Sequence, residues 1–220
     1  MSNMTPLEIQ RIRDALSTAR MSTYDLAVVA GGKSALDLYA WNAEISGALL
    51  GPLHLCEIVI RNAVSDALTT VYQQNWPWNP SFERSLPHQR KNELIAARNR
   101  HPNTGKVIPD LTFFFWQNMF SNRHFGRIWD PHIQNIFPNL GAQQPNQQKR
   151  IHIHDELDAI RELRNRIAHH EPIFNRNLLM DYQKIIDLVM LRCPVTAQWR
   201  IRHSPLCWQR NPEAAVTRKF

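Results

Sequence analysis

A chain of 220 residues, 43% of them hydrophobic, can bury one substantial core unaided, and its three cysteines, Cys56, Cys193 and Cys207, are odd in number and too widely spaced for a disulfide framework or a zinc ribbon. The first residues, MSNMTPLEIQRIRDAL, lack the apolar centre of a signal peptide, and no run approaches about 20 apolar residues, so a soluble cytoplasmic protein with no membrane partner is expected. The formal net charge of +7, at a pI near 9.7 and carried more by arginine than by lysine, favours a polyanionic partner, because the planar guanidinium matches phosphate with paired bonds.

In chain order, Leu7, Ile9, Ile12 and Leu16 recur at helical spacing behind Thr5 and Pro6. They predict a short amphipathic helix over Pro6 to Arg20 with Thr5 as N-cap. A break is expected at Met21 to Tyr24, with Ser22 capping a second piece that Gly31-Gly32 ends. From Ser34 to Tyr72 a stripe that includes Leu38, Ile45, Leu49, Cys56 and Ile60 keeps a helical period. Only Gly51-Pro52 interrupts it, where a kink or a break between two helices is expected. The second half, LHLCEIVIRNAV, is apolar on nearly every side and is therefore central. Glu57 is the sole acid within it and Arg61 follows one turn later. A carboxylate there is costly unless paired. Two partners fit: Arg61 locally, or an arginine arriving from another helix.

Residues 73 to 88 are turn-rich, and Gln89 to Arg100 predicts a polar helix. Its Arg90, Lys91, Arg98 and Arg100 form either a solvated basic face or a phosphate-tracking strip. The aromatic segment DLTFFFWQNMF, Asp110 to Phe120, reads as core or interface. Next, RHFGRIWDPHIQNIFPNL interleaves arginines with aromatics as single-strand-binding surfaces do. A polar loop at Gly141 to Gln148 precedes a helix from Arg150 to about His170, and another follows at Leu178 to Leu191. The tail from Pro194, with Trp199 and Trp208, carries no assignable pattern. With no strand alternation, internal repeat or Gly-rich phosphate loop, the chain reads as all-α. It is one domain over 1–220, with a loop and short-helix insertion at 73–148 and a basic tail at 194–220.

The chemistry concentrates in ELRNRIAHHEPIFN, Glu162 to Asn175. On a stripe defined by Ile153, Leu157, Ile160, Ile167 and Ala168, Arg164 falls where a leucine belongs. A guanidinium held there needs a carboxylate, carbonyls or a phosphate, and Glu57 is the expected partner. His169 follows five residues later, where Glu171-Pro172 stops the helix, and Asn165, one turn before it, is placed to fix its tautomer. An imidazole beside a fixed cation suits acid/base work on a phosphodiester. It handles the 2′-hydroxyl or leaving-group proton while the guanidinium stabilises the charged phosphorane, without metal or cofactor. The plainer reading is that His169 and His170 complement the helix dipole. His152 and His154 face different ways on a helix, which disfavours a metal site, and no spacing suggests a serine or cysteine nucleophile.

The run Arg164-Asn165-Arg166-Ile167-Ala168-His169 resembles the arginine, four to six residues, histidine signature of HEPN domains, and LRNRIAHHEPIFN looks like the version in the Abi-like (abortive infection) family. LYAWNAEISGALLGPLHLCEIVIRNAV at 38 to 64 and LTFFFWQNMFSNRHFGRIWDPHIQNIFPN at 111 to 139 resemble the same family. The resemblance implies a HEPN-type helical bundle with additional helices and loop insertions, pairing as a homodimer so that two signatures share one cleft. It implies a metal-independent endoribonuclease of phage defence or a toxin-antitoxin system, with RNA as substrate and an antitoxin or defence-system protein as possible partner. Arg164 and His169 then take the catalytic places, and Asn165, Glu57, His170 and Arg61 support them. The alternative within the family is a non-catalytic RNA-binding or regulatory module acting through dimerisation. Some relatives carry a modifiable tyrosine two residues after the histidine, where this chain has Glu171.

Overall fold

The Ser34 hydroxyl accepts a hydrogen bond from the Leu36 amide at 3.2 Å, and from this cap the central helix α3 runs unbroken over Ala35–Tyr72. Pro52 lies inside it, buried, so the break allowed for at Gly51-Pro52 does not occur. Leu49, Leu53, Cys56 and Ile60 form one continuous buried stripe through that point, and their packing offsets the roughly 3 kcal/mol that an interior proline costs. The structure is a computed structural model and describes residues 4–28 and 34–203. The expected Gly31-Gly32 stop, Cys207 and Trp208 lie outside them.

Before α3 come α1 (Pro6–Leu16) and α2 (Thr18–Val28). Thr5 and Glu8 close a capping box at the start of α1, as S/T-x-x-E spacing favours. The helix ends at Ser17, which takes a left-handed φ of 73°, earlier than the expected break at Met21 to Tyr24. Met21 and Tyr24 are instead buried, filling a small core with Ala35, Leu36 and Leu38, and a chain anchored by both side chains stays helical there. Of the apolar stripe of α1, Leu16 packs on this small core, whereas Leu7, 61% exposed, Ile9 and Ile12 stay open to solvent among the described residues, and no residue of α1 is buried.

After α3, short helices α4 (Pro80–Ser85), α5 (His88–Arg100), α6 (Thr104–Val107), α7 (Phe113–Asn118) and α8 (Asp130–Ile136) wrap its C-terminal half. A π-helical turn at Phe125–Trp129 leads into α8. The long helices α9 (Asn146–Ala168) and α10 (Leu178–Arg192) then pack against α3, and α11 (Pro194–Arg202) supplies regular structure to the tail. Among the described residues there is no strand, and the protein is all-α. The main core takes in Trp76, Phe115, Trp116, Phe120, Trp129 and Phe137, with Phe120 and Trp129 stacked at 4.3 Å. The aromatics of both the DLTFFFWQNMF and RHFGRIWDPHIQNIFPNL runs are thus mostly interior and leave no platform for bases. Phe114 is the exception, covered by the guanidinium groups of Arg90 and Arg161 at 4.8 and 5.2 Å.

Two expectations change here. Every cation proposed for a strip on α5 is ion-paired: Arg90 with Glu93, Lys91 and Arg98 with Glu83, and Arg100 with Asp110. With their charge locally offset, these residues make a pinned face rather than a phosphate track. In addition, α3 is by length and composition apolar enough to cross a membrane, with a mean hydropathy of 1.4 over an 18-residue window. In this fold it serves as the helix on which α2, α7, α9 and α10 pack.

Candidate functional site at the end of α9

The buried face of α9 is Ile153, Leu157, Ile160, Leu163 and Ile167, spaced four, three, three and four apart as a helix stripe requires. Leu163, not Arg164, occupies the core position, and Ala168 is exposed. Arg164 is therefore turned about 100° out of the stripe and is exposed, which corrects the expectation of a buried arginine. Exposure also removes the need for Glu57. Among the described residues Glu57 makes no ion pair with Arg164 or with Arg61, being half-buried on α3 beside a half-buried Arg61 whose Nε has no acceptor. Its charge is felt at Cys56, whose thiol is pushed up to about 12 by burial first and by Glu57 second.

At its end the helix is closed by hydrogen bonds from the His170 amide to the Ile167 carbonyl, 3.0 Å, and from the Glu171 amide to the Arg166 carbonyl, 2.8 Å. This is the Schellman pattern, which places one residue in the left-handed region. That residue is His170, φ 56°, where glycine would be unstrained. Several bonds hold it. The Arg166 guanidinium donates to the Pro172 carbonyl at 3.2 and 3.0 Å and lies 3.7 Å from Glu171, and Arg20 of α2 donates to the His170 carbonyl. The Ile173 amide donates at 2.8 Å to the side-chain carbonyl of Asn42, itself only 5% exposed on α3. Further on, Phe174 packs against Tyr24, and Arg176 is fixed by two bonds to Asp181 at 2.8 and 2.9 Å. Surroundings that over-determine a strained residue in this way hold its backbone in one conformation.

His169 and His170 both stand exposed at this end. His170, with Ile167 and Ala168, lines a cleft of about 370 Å³ whose other wall is Tyr24, Tyr39, Asn42 and Leu50. Asn165 is half-buried and accepts a long bond from Arg164 Nη1 at 3.5 Å. The expected bond from its side chain to the His169 ring is absent. The contact between the two residues is the backbone one, His169 N–H to the Asn165 carbonyl at 2.9 Å. The structure thus brings Arg164 to Asn165 and His170 to Asn42, and leaves Glu57 and Arg61 without contact to either. Arg20, Asn42 and Arg166, which fix the loop, were not singled out by sequence. Asn42 alone carries a readable signal, an amide at a core register of an apolar helix, whereas an arginine on a distant helix has none.

Chemically, the arrangement offers two exposed imidazoles and the guanidiniums of Arg20, Arg164 and Arg166 at the end of a helix, where the dipole favours positive charge. Arg164 and His169, five residues apart, point about 140° apart around the helix axis, so one phosphate would reach both only with help from a second surface. Among the described residues no group of three or more histidine, cysteine, aspartate or glutamate side chains converges as metal ligands would. No family model, curated protein or solved structure matches this chain.

Proposed function

We propose that this protein is a metal-independent endoribonuclease of HEPN type, acting in phage defence or as the toxin of a toxin-antitoxin pair. The observation that carries this reading is the exposed trio Arg164, His169 and His170, set on a helix end whose backbone Arg20, Asn42 and Arg166 hold rigid. Rigid placement matters because acid/base and charge-stabilising groups act only when preorganised. In the reaction the 2′-oxygen of RNA attacks the adjacent phosphorus and the bond to the 5′-oxygen breaks, leaving a 2′,3′-cyclic phosphate and a 5′-hydroxyl end. His169 takes the 2′-hydroxyl proton or returns one to the leaving oxygen, and Arg164 steadies the charge gathered on the phosphorane. The angular separation of these two groups supports a site shared by two copies of the chain, Arg164 of one facing His169 of the other. The apolar surface left open on α1 and at Leu50, 53% exposed on α3, supports the same pairing. An RNA substrate fits a cytoplasmic location, and an antitoxin or defence-system protein would then govern the activity.

A second reading has an observation of its own. Among the described residues no side chain orients the His169 ring, and Glu57 does not reach Arg164, which favours a non-catalytic RNA-binding or regulatory module using the same residues to hold phosphate. The two part in one experiment: RNA incubated with the protein in EDTA, with product ends analysed. Cyclic phosphate ends, reduced about 100-fold or more by His169→Ala and reduced likewise by Arg164→Ala, uphold the nuclease. Intact RNA with the wild type, or equal cleavage by His169→Ala, refutes it. Because both side chains are exposed, neither substitution threatens the fold.

A further inference from the structure

At the far end of α3 lies a second cleft, of about 600 Å³, between Tyr72, α4 and the turn that leads into α8. Its rim carries three arginines, Arg84, Arg123 and Arg127, all exposed, together with Ser81 and Ser85. Among the described residues no carboxylate lines it. The acid nearest in sequence, Glu83, is turned to α5, where Lys91 at 3.0 Å and Arg98 at 2.8 Å hold it and draw its carboxyl below the ordinary range. The three rim arginines are weakly engaged. Arg84 reaches Ser81 Oγ at 3.4 Å and Arg123 the Ser85 carbonyl at 3.3 Å, and Arg127 has no hydrogen-bond or ion-pair partner among the described residues. His124 also lines the cleft, is only 2% exposed, and leaves its Nε2 buried without a partner. An orphaned buried nitrogen is uncommon and calls for a reason. Arg127 lies in the π-helical turn at Phe125–Trp129, a form of helix that recurs at functional sites, and Arg123 in the 3-10 turn Asn122–His124 just before it.

We propose that this cleft binds the phosphate groups of a nucleotide, with Arg84, Arg123 and Arg127 neutralising the anion and His124 donating from the floor. Three guanidiniums lining one cleft with no acid among them repel one another until an anion arrives, and guanidinium matches phosphate oxygens in pairs. Two serine hydroxyls supply the neutral donors such a group also uses. Among the described lining residues the phenol ring of Tyr72 is only 6% exposed and packs against Phe82 at 5.2 Å, and the His124 ring is buried, so the site recognises phosphate rather than base. It stands apart from the ribonuclease reading. The rise along α3 between Gly47 and Tyr72 is about 38 Å, so loss of one site leaves the other intact.

The test uses the full chain and inorganic pyrophosphate, titrated by calorimetry at low salt. One pyrophosphate per chain is expected, weakened at least about tenfold in Arg123→Gln/Arg127→Gln with unchanged melting, while Arg11→Gln on α1 binds as the wild type does. Competition by ATP assigns the phosphate to a free nucleotide. Competition by a 5′-phosphorylated RNA oligomer, but not by its 5′-hydroxyl counterpart, assigns it to a chain end, and either result upholds the site. No pyrophosphate binding by the wild type, or equal binding by the double variant, overturns it.

Discussion

The buried His124 predicts a specific acid sensitivity. Burial pushes its imidazole down to about 4 from an ordinary 6.5, with the Arg123 charge adding to the effect. The folded protein therefore refuses a proton that the unfolded chain accepts. Stability from this group is whole above pH 6.5 and is lost as the pH falls towards 4, because protonation rewards only the unfolded state. The full depression corresponds to about 3 kcal/mol, of which about 2 kcal/mol is gone by about pH 5. For a chain of this size that is a fall of roughly 4–8 °C in Tm. Urea unfolding of the wild type and of His124→Gln at about pH 7.5 and pH 5 isolates the term, since glutamine carries no charge at either pH and any packing cost is common to both. Carboxylates such as Asp158, held low by Arg161 and then Gln117, contribute equally to the two proteins and cancel. The wild type should lose about 2 kcal/mol more than the variant between the two pH values. A difference between the proteins that stays the same at both pH values refutes the reasoning.

Two further substitutions test how the α9 terminus is held. His170→Gly removes the left-handed strain at φ 56° and is expected to raise stability by about 1 kcal/mol, read as a higher urea midpoint at unchanged slope; a lower midpoint would show that the histidine side chain contributes more than its backbone costs. Asn42→Ala strands the buried Ile173 amide, now bonded at 2.8 Å, and is expected to cost about 1–3 kcal/mol. A loss well below about 1 kcal/mol would count against the bond as a support of the loop.

Most of the architecture was legible because it follows from periodicity. The stripe of α3 and the apolar side of α10 repeat at helical spacing over many residues, and the core reproduces both. Boundaries were less legible where packing outweighs local chemistry. Pro52 and the stretch Met21 to Tyr24 look like breaks, yet both lie in helix because their neighbours bury well. The error at Arg164 is of another kind. On a helix, one residue of register is about 100°, and counting Ala168 as apolar tilted the inferred stripe by enough to carry an arginine into the core. Leu163 was the better member, and choosing it sends Arg164 to solvent. The long-range bonds from Arg20 and Asn42 were beyond reach for a different reason. They join residues more than a hundred positions apart, and nothing in local sequence records which distant helix will lie alongside.

The net charge of +7 is distributed unevenly in the fold. Many of the cations are ion-paired: all four of α5, Arg13 with Asp25, Arg161 with Asp158, Arg176 with Asp181, Lys184 with Glu156 and Arg192 with Asp66. Paired charges largely cancel at a distance beyond a Debye length of about 8–10 Å. Among the described residues, the cations that make no ion pair include two groups, each at a cleft. Arg20 and Arg164 flank the histidines at the end of α9, while Arg84, Arg123 and Arg127 rim the cleft at the end of α3. A solubilising excess needs no such segregation, since scattered charge serves as well. Unpaired guanidiniums gathered at two clefts, one of them lined by a buried imidazole without a partner, are the observation on which both proposed phosphate sites rest.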